Sequence, residues 1–283
     1  MNYKILKIVD IKKFIFKQQF KRFPYLNQFR NNPYTYLKAR YYMYCSVLLI
    51  YFLIKSRITP NMVTIAYGLC GVLGGVLLSV PNPYCNIAGI IIFFNKGILD
   101  WSDGHLARIK YKTTLKGHIL DVYGAYLNSI GFNIGLGFFV LNQTGYELLI
   151  YLIATIAFLY SGPILLGKNI ILDELKKNKI QDIIIKHNID NVSKKNSKNN
   201  KISYPKWIIF FKGFLDDRAR SVDFILLVMI IDINLKSNFS FYLFLLLYTK
   251  NIFRFFLLFL KGINSNWAES AVIDIKKINH GKK

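Results

Sequence analysis

The stretch Asp100-Trp101-Ser102-Asp103-Gly104-His105-Leu106-Ala107-Arg108, followed by Gly117-His118-Ile119-Leu120-Asp121, places three carboxylates and an arginine in or beside apolar segments of bilayer-spanning length. A charge at membrane depth costs several kcal/mol unless it is paired, hydrated or bound to a metal, so carboxylates kept there point to a working site. Asp100 and Asp103 stand three apart and share a helix face, while Asp121 lies on the next apolar segment, beyond a short basic connection. Two facing helices would bring these oxygens toward one divalent cation, a hard ion that takes oxygen ligands.

The rest of the chain supplies the membrane. Its 283 residues are 53% hydrophobic with mean hydropathy +0.29, yet the net charge is +23, so apolar and basic residues must be segregated. Apolar runs at about 62–80, 86–106, 117–141, 146–167, 221–235 and 239–260 mostly have the length of roughly 20 residues that a spanning helix needs. The fifth is short and holds Asp223 and Asp232. Basic residues orient the spans: twelve Lys or Arg in the first 57 residues, four across 107–116 and ten Lys across 168–206. The alternate connections, around Pro81–Tyr84, Asn142–Gly145 and Asn234–Asn238, carry only Lys236. The expected fold is an all-α integral membrane protein, a six-transmembrane-helix bundle. Both termini and the carboxylates then face the cytoplasm across a bacterial-type cytoplasmic (plasma) membrane.

Residues 1–57 form the basic N-terminal region, 58–262 the membrane domain and 263–283 a basic tail. Lys12-Lys-Phe-Ile-Phe16-Lys-Gln-Gln-Phe20-Lys-Arg22 reads as an amphipathic interfacial helix held to anionic membrane lipid. No signal-peptide pattern precedes it. Tyr41 to Ile54 is apolar over only about 14 residues, which suits an in-plane or re-entrant helix better than a seventh span. The Lys- and Asn-rich stretch within about 169–206 reads as a flexible cytoplasmic loop. Its charge comes without an aromatic stacking platform, so no nucleic acid partner is expected. Cys45, Cys70 and Cys85 and the four histidines show no metal-ligand spacing.

The carboxylate stretch also resembles a family signature. D-x2-D-G-x2-A-R-x8-G-x3-D-x3-D marks the CDP-alcohol phosphatidyltransferases, and Asp100, Asp103, Gly104, Ala107, Arg108, Gly117 and Asp121 match it at both internal spacings. The eighth position is Ala125, where the family usually carries the aspartate thought to act as general base. Upstream, Arg57-Ile58-Thr59-Pro60-Asn61-Met62-Val63-Thr64 is similar to the family's entry into its first membrane helix.

The resemblance implies Mg2+ or Mn2+ on Asp100, Asp103 and Asp121, with these carboxylates also lining the nucleotide site. Gly104 and Gly117 leave room for the nucleotide, Ala107 keeps the pocket clear and Arg108 holds nucleotide or phosphate; glycine permits close approach and arginine forks onto phosphate. With Ala125 in place of aspartate, three proton acceptors stay open: His118, three before Asp121 on its face; Asp121 itself; and metal-bound water. His118 equally suits a headgroup or carbonyl partner. His105 is expected at the interface. Asn128, seven after Asp121, is placed to donate to substrate.

Lys250 and Arg254 share a face of the last run, and Arg218 and Arg220 precede the fifth; all four are candidate phosphate or headgroup contacts, or charges marking the cytoplasmic edge. Gly68, Gly71 and Gly75 form a small-residue stripe suited to packing within the bundle or to a dimer contact. The family resemblance also implies a homodimer.

The expected reaction is metal-dependent transfer of a substituted phosphate from a CDP-linked donor, CDP-diacylglycerol or a CDP-alcohol, to an alcohol acceptor, with release of CMP. The rival readings are an inactive relative that binds CDP-lipid or nucleotide, motivated by Ala125, and an ion or solute transporter.

Overall fold

The computed structural model describes residues 7–27, 29, 33–161 and 220–264. These residues are helical, without a strand among them. The helices are α1 (Ile8–Arg22), α2 (Pro33–Lys55), α3 (Pro60–Ser79), α4 (Pro83–Ile109), α5 (Leu115–Thr144), α6 (Leu148–Ser161), α7 (Arg220–Leu235) and α8 (Phe239–Asn264), with a 3-10 turn at Pro24–Asn27. Each of the six apolar runs is matched by a helix, α3 to α8. The expected loop within 169–206 and Arg218 lie outside the described residues, as does nearly all of the 263–283 tail.

Local chemistry sets the helix ends. Thr59 caps α3, its hydroxyl accepting from the Met62 N–H at 3.4 Å with Pro60 in the first turn. Asn82 caps α4 by accepting from the N–H groups of Tyr84 and Cys85, with Pro83 behind it. α5 ends at Gly145, whose φ of +69° and N–H bond to the Leu141 carbonyl make a left-handed stop. α4 stops the same way without a glycine: Tyr111 takes φ 51°, and the N–H groups of Tyr111 and Lys112 return to the Arg108 and Ala107 carbonyls. The helix thus ends at Ile109, directly after Arg108.

Among the described residues, three helices are long and apolar enough to cross a membrane: Pro33–Lys55, Pro60–Ser79 and Lys116–Thr144. The first is longer than the apolar stretch at Tyr41–Ile54 from which an in-plane or re-entrant helix is expected. Tyr and Thr residues from Pro33 onward carry the helix back by two turns, giving 23 residues. α4 has the length, at 27 residues, but Lys96, Asp100, Asp103 and Arg108 lower its hydropathy. Six spans therefore remain an expectation, while the apolar helices themselves make this a membrane protein.

The chain divides into two compact units, Met1–Gly135 and Leu136–Lys283. In the first, α1 lays Ile11 and Ile15, both fully buried, into a core with Met43, Val47, Ile50 and Ile54 of α2 and Leu106 and Ile109 of α4. Its lysines stay outside: Lys12, Lys13, Lys17 and Lys21 are exposed. α2 also clamps α4. Lys38 Nζ and Tyr42 Oη both donate to the Phe94 carbonyl at 3.1 Å, and Ser46 Oγ donates to that of Ile98 at 3.3 Å.

Glycine brings α3 and α5 together. A Cβ on Gly71 would lie 2.5 Å from the Asn128 Cα, and one on Gly75 would lie 2.5 Å from the Gly131 carbonyl oxygen, so backbone packs on backbone. Of the two roles expected for this stripe, packing within the bundle is the one observed. In the second unit, Ile153 and Phe244 close over Gly137, and the Thr155 and Tyr248 hydroxyls meet at 3.1 Å.

Candidate active site

All three motif carboxylates lie in the first unit. Asp100 and Asp103 on α4 and Asp121 on α5 are close enough for their charges to interact. Like charges gathered away from water repel, and a bound cation relieves that repulsion. The i to i+3 spacing on α4 produces the cluster: Asp103 is buried at 6% exposure, and Asp100 and Asp121 are half-buried.

The upstream segment reaches the same place. Thr64 Oγ1 donates to Asp103 Oδ2 at 2.6 Å, both groups buried, across 39 residues of sequence. One turn earlier on α3, Asn61 Oδ1 would stand 3.1 Å from a Cβ added to Gly117. The first turns of α3 thus touch both halves of the signature. A backbone approach explains Gly124 as well, since a Cβ there would press the Tyr67 ring at 2.8 Å.

Arg108 lies one turn beyond Asp103 and Gly104. Its Nη2 is 3.1 Å from His105 Nδ1, while its buried Nε has no hydrogen-bond partner among the described residues. The Arg108 guanidinium lies over Gly104, where an added Cβ would meet it at 3.5 Å, in ordinary contact. Ala107 is half-buried. His105, expected at the interface, is instead buried at 1% exposure, because the helix turns it toward Arg108 and the α1–α2 core. Beyond the motif, Lys110 ties the turn after α4 to the link between α2 and α3, its ammonium donating to the carbonyls of Leu53, Ser56 and Ile58 at 2.9–3.3 Å. Burial, and then the charge of Lys112, pull its pKa below the ordinary lysine value.

Other candidates stand elsewhere. Asn128 is buried, but both hydrogens of its amide go to the Tyr67 and Gly124 carbonyls at 2.9 Å, so it is not free to donate to substrate as expected. His118 and Ala125 are both exposed on α5. Lys250, half-buried, belongs to the second unit, as do the helical positions Arg220 and Arg254.

Among the described residues no three His, Cys, Asp or Glu side chains are gathered as a formed metal centre. The donor chemistry nevertheless fits a hard divalent cation, since Asp100, Asp103 and Asp121 are oxygen donors close enough for their charges to interact. No curated protein and no solved structure matches the chain. Residues 57–183 match the model of the CDP-alcohol phosphatidyltransferase family, enzymes that transfer a phosphatidyl group from a CDP-alcohol, and this match bears out the resemblance that the sequence carries.

Proposed function

We propose that this protein transfers a substituted phosphate from a CDP-linked donor to an alcohol acceptor and releases CMP, at a site built on α3, α4 and α5. The observation that carries this reading is the convergence of Asp100, Asp103 and Asp121, with Thr64 fixing Asp103. Asp100, Asp103 and Asp121 would hold Mg2+ or Mn2+, which, when bound, supplies Lewis-acid neutralisation of the donor pyrophosphate. Thr64 restricts the Asp103 side chain by holding its Oδ2. Arg108, with an unpartnered Nε, offers a charge-assisted bond to a phosphate oxygen, while Gly104 and Gly117 leave the helix surface low beside it.

The proton on the acceptor hydroxyl needs a base, and Ala125 cannot serve. Asp121 stands among the carboxylates, and His118 lies one turn away on the same helix, exposed; these are the two side chains proposed for the role. The donor is CDP-diacylglycerol or a soluble CDP-alcohol, with the site and both termini on the cytoplasmic side and a homodimer as the proposed assembly. Ala125 motivates the second reading, a relative that binds CDP-lipid without turnover.

The test is CMP release by the full chain in lipid, given CDP-diacylglycerol, Mg2+ or Mn2+ and a pool of alcohols. Release that chelation and Asp103→Ala both abolish supports transfer. If His118→Ala also lowers it while flattening the pH profile near neutrality, His118 is the base. Saturable CDP binding without release supports the inactive relative, and neither binding nor release overturns both readings.

A further inference from the structure

We propose that His105 is a positioning residue that holds the Arg108 side chain in the rotamer its phosphate contact requires. The proposal rests on the transferase reading, and position 105 is one of the two that the signature D-G-x2-A-R leaves open. Arg108 folds back along α4: a Cβ added to Gly104, one turn earlier, would lie 3.5, 3.6 and 3.9 Å from its Nη2, Nη1 and Cζ. A helical side chain leans this way, toward the N-terminus of its helix, but an arginine in the last turn has an alternative. α4 ends at Ile109 and Tyr111 just beyond it is exposed, so an extended Arg108 would reach solvent. Folded back, the guanidinium stays over the turn that carries Asp103 and Gly104; extended, it leaves the site.

His105 selects the folded-back form. Its ring is buried, and its Nδ1 stands 3.1 Å from Arg108 Nη2. Arginine has only donors, so Nδ1 accepts and the ring proton sits on Nε2. An apolar side chain would pack the same core without burying a ring nitrogen; what histidine adds there is the lone pair. The bond engages one corner of the guanidinium and leaves Nε, buried without a hydrogen-bond partner among the described residues, for another acceptor. A buried N–H of a charged group is costly until it is paired, and a phosphate oxygen pairs it with a charge-assisted bond. Because Nη2 is held before the ligand arrives, binding freezes less of a long and otherwise mobile side chain. The expected gain is affinity for the CDP-linked donor, supplied by a residue that itself touches only Arg108's far corner.

The experiment measures CDP affinity by calorimetry on the full chain in lipid nanodiscs with Mg2+. His105→Leu fills a similar volume and offers no acceptor, whereas His105→Asn sets an amide oxygen close to where Nδ1 stands. Loss of a hydrogen bond to a charged group corresponds to about a tenfold rise in dissociation constant, which is the change expected for His105→Leu. His105→Asn should restore most of the affinity, and in an Arg108→Ala background His105→Leu should cost nothing further. A purely structural histidine predicts otherwise: Leu and Asn would weaken CDP alike, and the loss would persist without Arg108. Should His105→Leu fail to fold, His105→Gln takes its place, since its terminal amide overlies Nε2 rather than Nδ1. Unchanged CDP affinity in His105→Leu, no recovery in His105→Asn, or an effect that survives Arg108→Ala would each overturn the proposal while wild-type CDP binding leaves the transferase reading standing. Wild-type protein that binds no CDP would overturn both.

Discussion

Asp103 and Asp232 are both aspartates buried inside apolar helices, and their surroundings differ completely. Asp232 accepts from the Ser237 hydroxyl at 2.6 Å, from the N–H groups of Phe239 and Ser240 at 3.1 and 2.7 Å, and from the Ser240 hydroxyl. It closes the turn between α7 and α8 by capping the first turn of α8, where helix N–H groups lack partners. Asp103 accepts one side-chain bond, from Thr64, and has two further carboxylates for neighbours. A buried charge that satisfies itself locally is architecture. One gathered with its own kind on two helices is held for a ligand, because the fold alone gains nothing from the repulsion.

That contrast fixes what substitution should do at each place. Asp103→Asn removes the repulsion and is expected to leave the protein at least as resistant to unfolding as wild type while CMP release falls about a thousandfold. Asp232→Ala should do the reverse: it leaves the donors of the α7–α8 turn buried and unpaired, costing about 2–4 kcal/mol in an unfolding titration, with turnover per folded molecule unchanged. Equal activity loss in both variants would erase the distinction. Gly75→Ala tests the packing that holds α3 to α5 beneath the carboxylates. Its methyl group meets the Gly131 carbonyl, and a loss of about 1–3 kcal/mol is expected by the same titration. Thr64→Val, nearly isosteric, removes the hydroxyl that reaches Asp103 and, at 3.2 Å, the Pro60 carbonyl; CMP release should fall about tenfold and the apparent affinity for Mn2+ should weaken with it. A Thr64→Ser variant that restores both would confirm that the hydroxyl acts through Asp103.

Much of this architecture is legible in the chain. The apolar runs appear as α3 to α8, and Pro60, with Thr59 before it, starts α3 in the stretch similar to the family's entry into its first membrane helix. Gly71 and Gly75 announce a close crossing, although the sequence leaves open which helix they meet. α2 extends beyond the apolar stretch at Tyr41–Ile54 because Tyr34, Tyr36, Lys38 and Arg40 lower the hydropathy of its first two turns without interrupting the helix.

At the site, the spacing of Asp100 and Asp103 is local and therefore readable. The bond from Thr64 joins residues 39 apart and needs the tertiary fold to bring α3 onto α4. Asp232 and Asn128 show the opposite limit: composition marks both as costly polar groups in apolar helices, but only their partners reveal structural roles.

Manganese binding to the reconstituted full chain with CDP, followed by electron paramagnetic resonance, tests most directly whether Asp100, Asp103 and Asp121 act as one cation site. Saturable binding should occur in the wild type, persist in Asp232→Asn and vanish in Asp103→Asn and Asp121→Asn. Undiminished binding in the Asp103 and Asp121 variants would contradict the account.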